Sequence, residues 1–230
     1  MWIFLWIVVS CFILGTFFWS VRVLFQQKAA WKAFAQKMGL SYITQKGWLV
    51  SPSVSGSIGK YGFSLISEPQ GTNDQRGVRY NTVIEFGLHQ GLPSVGAIGT
   101  QKMNVILDQL IAKQGVSVSD SDWDVTWFIR ATRPNVVQAY LTPARIEVLK
   151  KIFRLKTLGA LFLFNESEGI LRIETADPMV DAERLEKIVR GILAQLPVLL
   201  VGDEERAALL AIFKANEQPQ QLPQSPLVTE

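Results

Sequence analysis

The hydrophobic pattern opens on a long run in which almost every position is apolar. Residues 1–21 contain no charged side chain and include the segment WIFLWIVVSCFILGTFFW. As an α-helix, about 20 residues rise about 30 Å, which matches the hydrocarbon thickness of a bilayer. Trp2, Trp6 and Trp19 lie near the two ends of the run, where interfacial aromatic residues are common. The pattern predicts a single transmembrane anchor over residues 1–25.

The apolar run lacks the features of a cleaved signal peptide. No basic residue precedes it, and its small residues Gly15 and Ser20 stand close to bulky aromatic side chains. A signal peptide combines a basic start, a shorter apolar core and a small-x-small cleavage site. We therefore expect the segment to be retained as a membrane span.

A second pattern, with the period of a helix, covers residues 26–40. Trp31, Phe34, Ala35 and Met38 recur at i, i+3, i+4 and i+7, and basic side chains occupy the other faces. This predicts a basic amphipathic helix next to the membrane. It either lies on anionic headgroups or packs on the domain that follows, since an apolar stripe fits both. The predicted membrane-interface residues are Trp19, Arg22, Lys28, Trp31, Lys32, Phe34 and Lys37.

From residue 41 onward the pattern mixes strands and helices without a regular strand–helix alternation. Residues 41–67 are predicted as short strands with a tight turn at Gly59–Lys60, and residues 78–86 and 123–131 alternate as further strands. A second hairpin is expected around residues 165–169. Thr142 and Pro143 form a capping pair at the start of a helix. Other predicted helices cover about 101–114, 181–196 and 203–216.

This order of elements predicts an α+β fold, in which a single N-terminal transmembrane helix precedes a compact domain of antiparallel hairpins packed with helices. The soluble α+β domain is expected over residues 41–202. A terminal helix over 203–216 and a disordered Pro/Gln-rich tail over 217–230 follow it.

Charge is distributed unevenly between the start of the chain and the rest. The first 67 residues hold six basic side chains and no acidic one, whereas the remainder has a net charge of −3. Basic residues beside a span are retained on the cytoplasmic side. We therefore expect a single-pass protein of the inner (cytoplasmic) membrane with its domain in the cytoplasm. The net acidic remainder also argues against a nucleic-acid partner.

Three segments of the chain follow one another in an order that resembles that of other proteins. They are the helix ending in Met38-Gly39-Leu40, the hairpin GSIGKYG at residues 56–62, and the block DSDWDVTWFIRA followed by YLTPARIEVLKKI. In this order they resemble uncharacterised bacterial single-span membrane proteins with a C-terminal α+β domain. The resemblance implies the fold and brings no catalytic or binding residues with it.

The scarcity of histidine and cysteine excludes several chemistries. His89 is the only histidine, and the only cysteine, Cys11, lies inside the predicted span. One chain therefore cannot assemble the usual Cys/His zinc site or a Cys–His dyad. His89 follows a strand in a Gly-rich segment, which is typical of a solvated or structural histidine. We predict no cofactor and no metal site.

An alternating acidic group is the most suggestive local motif. Asp120, Asp122 and Asp124 have the spacing of the first three ligands of a calcium loop. However, Val125 occupies the position that requires glycine, and Ala131 the position of the bidentate glutamate. We interpret the segment as a solvated loop leading into a strand.

Two functional hypotheses follow. The favoured one is a non-enzymatic, membrane-tethered α+β module that binds the bilayer and a protein or lipid partner, with a homo-oligomer as one form of protein partner. The alternative is a membrane-associated enzyme using carboxylate, lysine and arginine chemistry, with Glu85, Asp122 and Asp124 as candidate carboxylates. A pocket joining buried carboxylates, or a carboxylate and a lysine, would favour the enzyme. An exposed apolar patch or an open sheet edge would favour the module.

Overall fold

The structure is a computed structural model that describes residues 2–44, 47–70, 79–103, 114–118, 120–155 and 157–217. One helix, α1 (Trp2–Met38), contains both the apolar run and the amphipathic segment. The chain has no proline in this range and no glycine between Gly15 and Gly39, so nothing breaks the helical hydrogen bonding. By length and composition α1 can cross a membrane, and its apolar part is not covered by the rest of the chain.

A glycine ends α1. Gly39 has a φ of 68°, in the left-handed region that favours glycine. Its N–H donates to the carbonyl of Gln36, and the N–H of Leu40 donates to the carbonyl of Ala35 at 2.8 Å. This pair of bonds is a Schellman motif, which satisfies the last carbonyls of the helix and turns the chain toward the first strand.

The described residues form one nine-stranded sheet in which all neighbouring strands are antiparallel. The strands are β1 (Ser41–Ile43), β2 (Ser53–Ile58), β3 (Tyr61–Gln70), β4 (Arg79–Leu88), β5 (Gly96–Thr100), β6 (Gln114–Gly115), β7 (Trp127–Ala131), β8 (Gly159–Phe164) and β9 (Gly169–Thr175). Their order across the sheet is β1-β2-β3-β4-β9-β8-β5-β7-β6. The two predicted hairpins, β2–β3 and β8–β9, are therefore confirmed.

Among the described residues, five further α-helices follow. They are α2 (Pro134–Tyr140), α3 (Pro143–Phe153), α4 (Ala182–Leu193), α5 (Leu196–Leu199) and α6 (Asp203–Glu217). The predicted capping pair is confirmed, because the Thr142 hydroxyl accepts a hydrogen bond from the N–H of Arg145. Asp181 caps α4 in the same way, accepting from the N–H groups of Glu183 and Arg184.

The two faces of the sheet differ in character. One face packs against the helices in a large core that contains Leu65, Ile84 and Ile173 from neighbouring strands. The residues beside them in sequence point to the opposite face, because side chains alternate along a strand. There the row Ser64, Glu85 and Arg172 crosses β3, β4 and β9. Toward β8 and β5 this side is covered by a small buried cluster of Ala97, Met103 and Leu161. We call its part on β2, β3, β4 and β9 the open face.

Some predicted elements have different bounds. The strand expected over 123–131 begins only at Trp127, because Asp124 accepts a hydrogen bond from the N–H of Thr126 and holds the preceding residues in a turn. Gln101–Met103 is a short 3-10 helix, and Gln114, the last residue of the helix predicted over 101–114, lies in β6. Residues 104–113 of that predicted helix lie outside the described residues.

Two other differences concern the helices and the C-terminal end. The helix predicted over 181–196 is divided into α4 and α5 ahead of Pro197, whose ring cannot continue a helix from the preceding turn. The sequence pattern did not predict α2. The predicted tail lies beyond the described residues from 218 onward. The α+β class with a long apolar N-terminal helix and an antiparallel sheet is confirmed.

Candidate functional site

The last third of α1 is part of the domain core. Trp31 is 0% exposed and Phe34 1% exposed, and both belong to the core that includes the sheet. The Phe34 ring lies 5.8 Å from that of Phe63 on β3, measured between centroids. The prediction that Trp31 and Phe34 meet the membrane interface is therefore wrong. The apolar stripe of this helix packs on the domain, which was the alternative prediction, and both side chains are removed from water and from lipid.

Burial along α1 begins where the apolar run ends. Residues 2–20 are exposed, whereas Val21, Val23 and Leu24 are half-buried and Gln27 is buried. The first charged residue of the chain, Arg22, lies at this boundary. The domain thus covers α1 from the end of the charge-free segment onward, and we call residues 21–38 of α1 the seat.

The remaining predicted interface residues divide into two groups. Trp19, Arg22 and Lys32 are exposed on α1, and their contact with a membrane stays a prediction. Lys28 and Lys37 instead contact the domain. The Lys28 ammonium donates to the carbonyl oxygen of Trp48 at 2.6 Å. The Lys37 ammonium pairs with the carboxylate of Glu186 on α4 at 2.5 Å.

The partner of Lys28 belongs to a turn that the sequence pattern did not single out. Residues 47–50 form this turn between β1 and β2, and we call it the Trp48 turn. Trp48 is 61% exposed and Leu49 is 47% exposed. The sequence feature that could have indicated this turn is the pair of large apolar residues, Trp48 and Leu49, next to Gly47. Their exposure could not be predicted, because it depends on how the folded chain returns to α1.

The open face carries an ionic cluster around one arginine. The Arg172 guanidinium on β9 pairs with Glu85 at 2.8 Å and Glu174 at 2.7 Å, and also with Glu68. Partial burial alone would lower the pKa of this guanidinium, but the hydrogen bonds to Glu68 and Glu174 outweigh that effect and raise the pKa. The Ser64 hydroxyl donates to Glu85 at 3.1 Å. With one cation and three anions, the cluster has a net charge of −2.

A second arginine joins four helices. The Arg145 guanidinium, on α3, makes a bidentate pair with Glu205 on α6. It also donates to three backbone carbonyls, those of Tyr140, Val198 and Leu200, at 2.7 to 3.0 Å. The hydrogen bonds from Arg145 hold the pKa of Glu205 below its ordinary value. Every partner is internal to the fold, so this network stabilises the domain.

Lysine and carboxylates also meet beside a groove of about 470 Å³ that Asp120 and Glu147 help to line. The Lys150 ammonium lies 2.6 Å from Glu147 and 3.0 Å from Asp120. Hydrogen bonds to Glu147 and then Asp120 raise the pKa of Lys150, so its ammonium stays protonated at neutral pH. A lysine held as a cation is a poor general base or nucleophile.

The candidate carboxylates of the enzyme hypothesis are not brought together. Glu85 lies on the open face, whereas Asp122 and Asp124 lie in the loop before β7. Asp124 accepts from the N–H and hydroxyl of Thr126, and Asp120 accepts from the N–H of Asp122. These oxygens stabilise local turns. Within the described ranges, no three His, Cys, Asp or Glu residues cluster as metal ligands would.

His89 lies exposed at the rim of a second groove, of about 490 Å³, between the β2–β3 turn and the start of α6. Lys60, Tyr61 and Asp203 also line this groove. Gln90 donates to Asp203 at 3.0 Å. No hydrogen bond or ion pair of His89 occurs within the described part of the chain, so the structure places no orienting group on its imidazole.

Comparisons with known proteins add little. No family model matches the chain, and no curated protein matches it. A solved structure that is similar is the crystal structure of the mycobacterial trehalose monomycolate transport factor A, TtfA. The two chains are 11% identical with a TM-score of 0.45, over 76% of this chain and 96% of that one.

Proposed function

We propose that the protein is a membrane-tethered module without enzymatic activity of its own, which binds a protein or lipid partner at the membrane surface. The observation that carries this proposal is the continuity of α1. One helix contains an uncovered apolar segment of membrane-spanning length and a seat whose apolar stripe, from Ala30 to Met38, lies in the domain core. A helix of this kind holds a domain at a set distance from the bilayer.

The geometry of the seat sets that distance. From Arg22 to Met38, α1 rises about 25 Å at about 1.5 Å per residue. Because the domain packs on α1 from Gln27 onward and the helix is unbroken back to the span, the domain remains next to the bilayer and cannot swing away as it would on a flexible linker. The uneven distribution of charge favours the cytoplasmic side of the inner membrane for the domain.

The open face is the surface we propose for the partner. The large core lies on the other face of the sheet, whereas Ser55, Ser57, Gly62 and Ser64 leave the open face of β2 and β3 only partly covered. Their small side chains let a partner approach the backbone closely. The adjoining Arg172 cluster, with its excess of negative charge, favours a partner that presents basic groups.

The enzyme hypothesis has weaker support. The lysine and carboxylates that meet beside a groove are paired with groups of opposite sign, as Asp120 is with Lys150. A catalytic acid or base needs a pKa near the working pH, which such pairs oppose by stabilising the charged forms.

Photo-crosslinking in native membranes tests this proposal. A benzophenone amino acid at Ser57, an exposed residue of the open face, should give a discrete adduct with one protein or lipid species. The same probe at Val125, which is 98% exposed on the loop before β7, is the matched control and should not give that adduct. The absence of any adduct from Ser57, or the same adducts from both positions, would overturn the assignment of the open face.

A further inference from the structure

The Trp48 turn has a defined shape that exposes two apolar side chains together. The N–H of Val50 donates to the carbonyl of Gly47 at 3.3 Å, which closes the turn. Gly47 has a φ of 134°, and a Cβ there would lie 2.8 Å from the Cγ2 of Val50. Glycine is therefore required at this position. The result is that Trp48 and Leu49, at the tip, project into solvent in the isolated chain.

The turn lies at the level of α1 nearest the predicted bilayer surface. Lys28, whose ammonium binds the Trp48 carbonyl, is about 10 Å beyond Val21 along the helix axis. Side chains on a helix lean toward its N-terminus, which here is the membrane side. The Lys28 ammonium accordingly lies 5.8 Å from the ring centroid of Phe25, almost one turn closer to the span.

The chemistry of this region matches a lipid surface. The headgroup layer adds about 5 to 8 Å to each side of the hydrocarbon core, and tryptophan is enriched at that depth. Phe25 is exposed beside the turn, and Arg22 and Lys32 are exposed cations on the same helix. Apolar side chains flanked by lysine and arginine complement the interface of a bilayer with anionic lipids.

We propose that the Trp48 turn is a second membrane contact of this protein, in which Trp48 and Leu49 insert into the headgroup region of the leaflet from which α1 emerges. The inference rests on the proposed tether, because α1 sets the distance of the turn from the bilayer. One helix alone leaves a domain able to rotate about the helix axis. A second contact to one side of α1 fixes that rotation and so fixes which surface of the sheet faces away from the membrane.

Nitroxide accessibility in bilayers tests this contact. The full chain carrying Cys11→Ser and Leu49→Cys is spin-labelled and reconstituted in phosphatidylethanolamine–phosphatidylglycerol bilayers. The matched control carries Cys11→Ser and Val125→Cys. Both substituted residues are exposed, so neither change disturbs the core. We expect the label at position 49 to collide several-fold less with a water-soluble nickel chelate than the label at position 125, and more with dissolved oxygen.

The native Cys11, labelled in the unsubstituted chain, separates the two proposals. If Cys11 is in hydrocarbon but position 49 is as accessible to the nickel chelate as position 125, the second contact is wrong and the tether stands. If the label on Cys11 is itself accessible to the chelate, the proposed tether is wrong, and the second contact, which depends on the tether, is wrong as well.

Discussion

Replacing Trp31 with alanine should lower the free energy of unfolding of the domain by about 3 to 5 kcal/mol, the usual cost of deleting a buried tryptophan. Trp31 is fully buried between α1 and the sheet, so alanine leaves a cavity at the centre of the seat. Its indole N–H has no hydrogen-bond partner among the described residues, so the loss comes from packing.

Denaturant unfolding of the full chain in lipid nanodiscs, followed by near-ultraviolet circular dichroism, measures this effect. Lys32→Ala is the matched control, because Lys32 is the next residue on the same helix and is exposed. It should change the free energy of unfolding by no more than about 0.5 kcal/mol. A Trp31→Ala protein as stable as the control would mean that α1 does not pack on the domain.

Replacing Arg145 with alanine should have a comparable effect, about 3 to 5 kcal/mol, because it removes the buried partner of an ion pair together with that partner's hydrogen bonds to backbone carbonyls. The change leaves Glu205 without its cation and removes the donor to the carbonyls of Val198 and Leu200. Arg145→Lys should recover only part of the loss, since an ammonium cannot make the bidentate pair and reach the carbonyls as well. Arg190→Ala, on an exposed face of α4, is the control and should be nearly neutral.

The pH dependence of stability gives this pair a distinct signature. Arg145 lowers the pKa of Glu205 from its ordinary value of 4.5, so the stabilisation is fully present above that value. It is lost as the pH falls through the lower pKa of the folded state. The difference in unfolding free energy between wild type and Arg145→Ala should therefore shrink on acidification below pH 4.5. A difference that is independent of pH would show that the ion pair is not its source.

The sequence predicts the helix and the apolar stripe of the seat but not what the stripe packs against. The span and the Trp31–Phe34 stripe follow from hydropathy and helical period, and the absence of helix breakers between Gly15 and Gly39 is consistent with one helix. The stripe alone does not distinguish lipid from protein as its partner, because both accept the same apolar face. That choice depends on Phe63 and other strand residues brought to α1 by the fold.

The ionic cluster on the open face is even less predictable from the sequence. Glu85 is recognisable in sequence as a strand carboxylate, but its partner Arg172 is on β9, and the two meet only because β4 and β9 pair in one register. Glu68 reaches the same guanidinium from β3. A register between strands far apart in the chain is set by core packing on the other face, which the alternation pattern does not specify.

Amide hydrogen exchange of the full chain in lipid nanodiscs, measured along residues 21–38, tests most directly whether anchor and domain form one body. We predict slow exchange without interruption from the span to Met38, because an unbroken helix pairs each N–H and its end is held in the core. A fast-exchanging interval between Val21 and Trp31, flanked by protected segments, would reveal a flexible tether and contradict the seat.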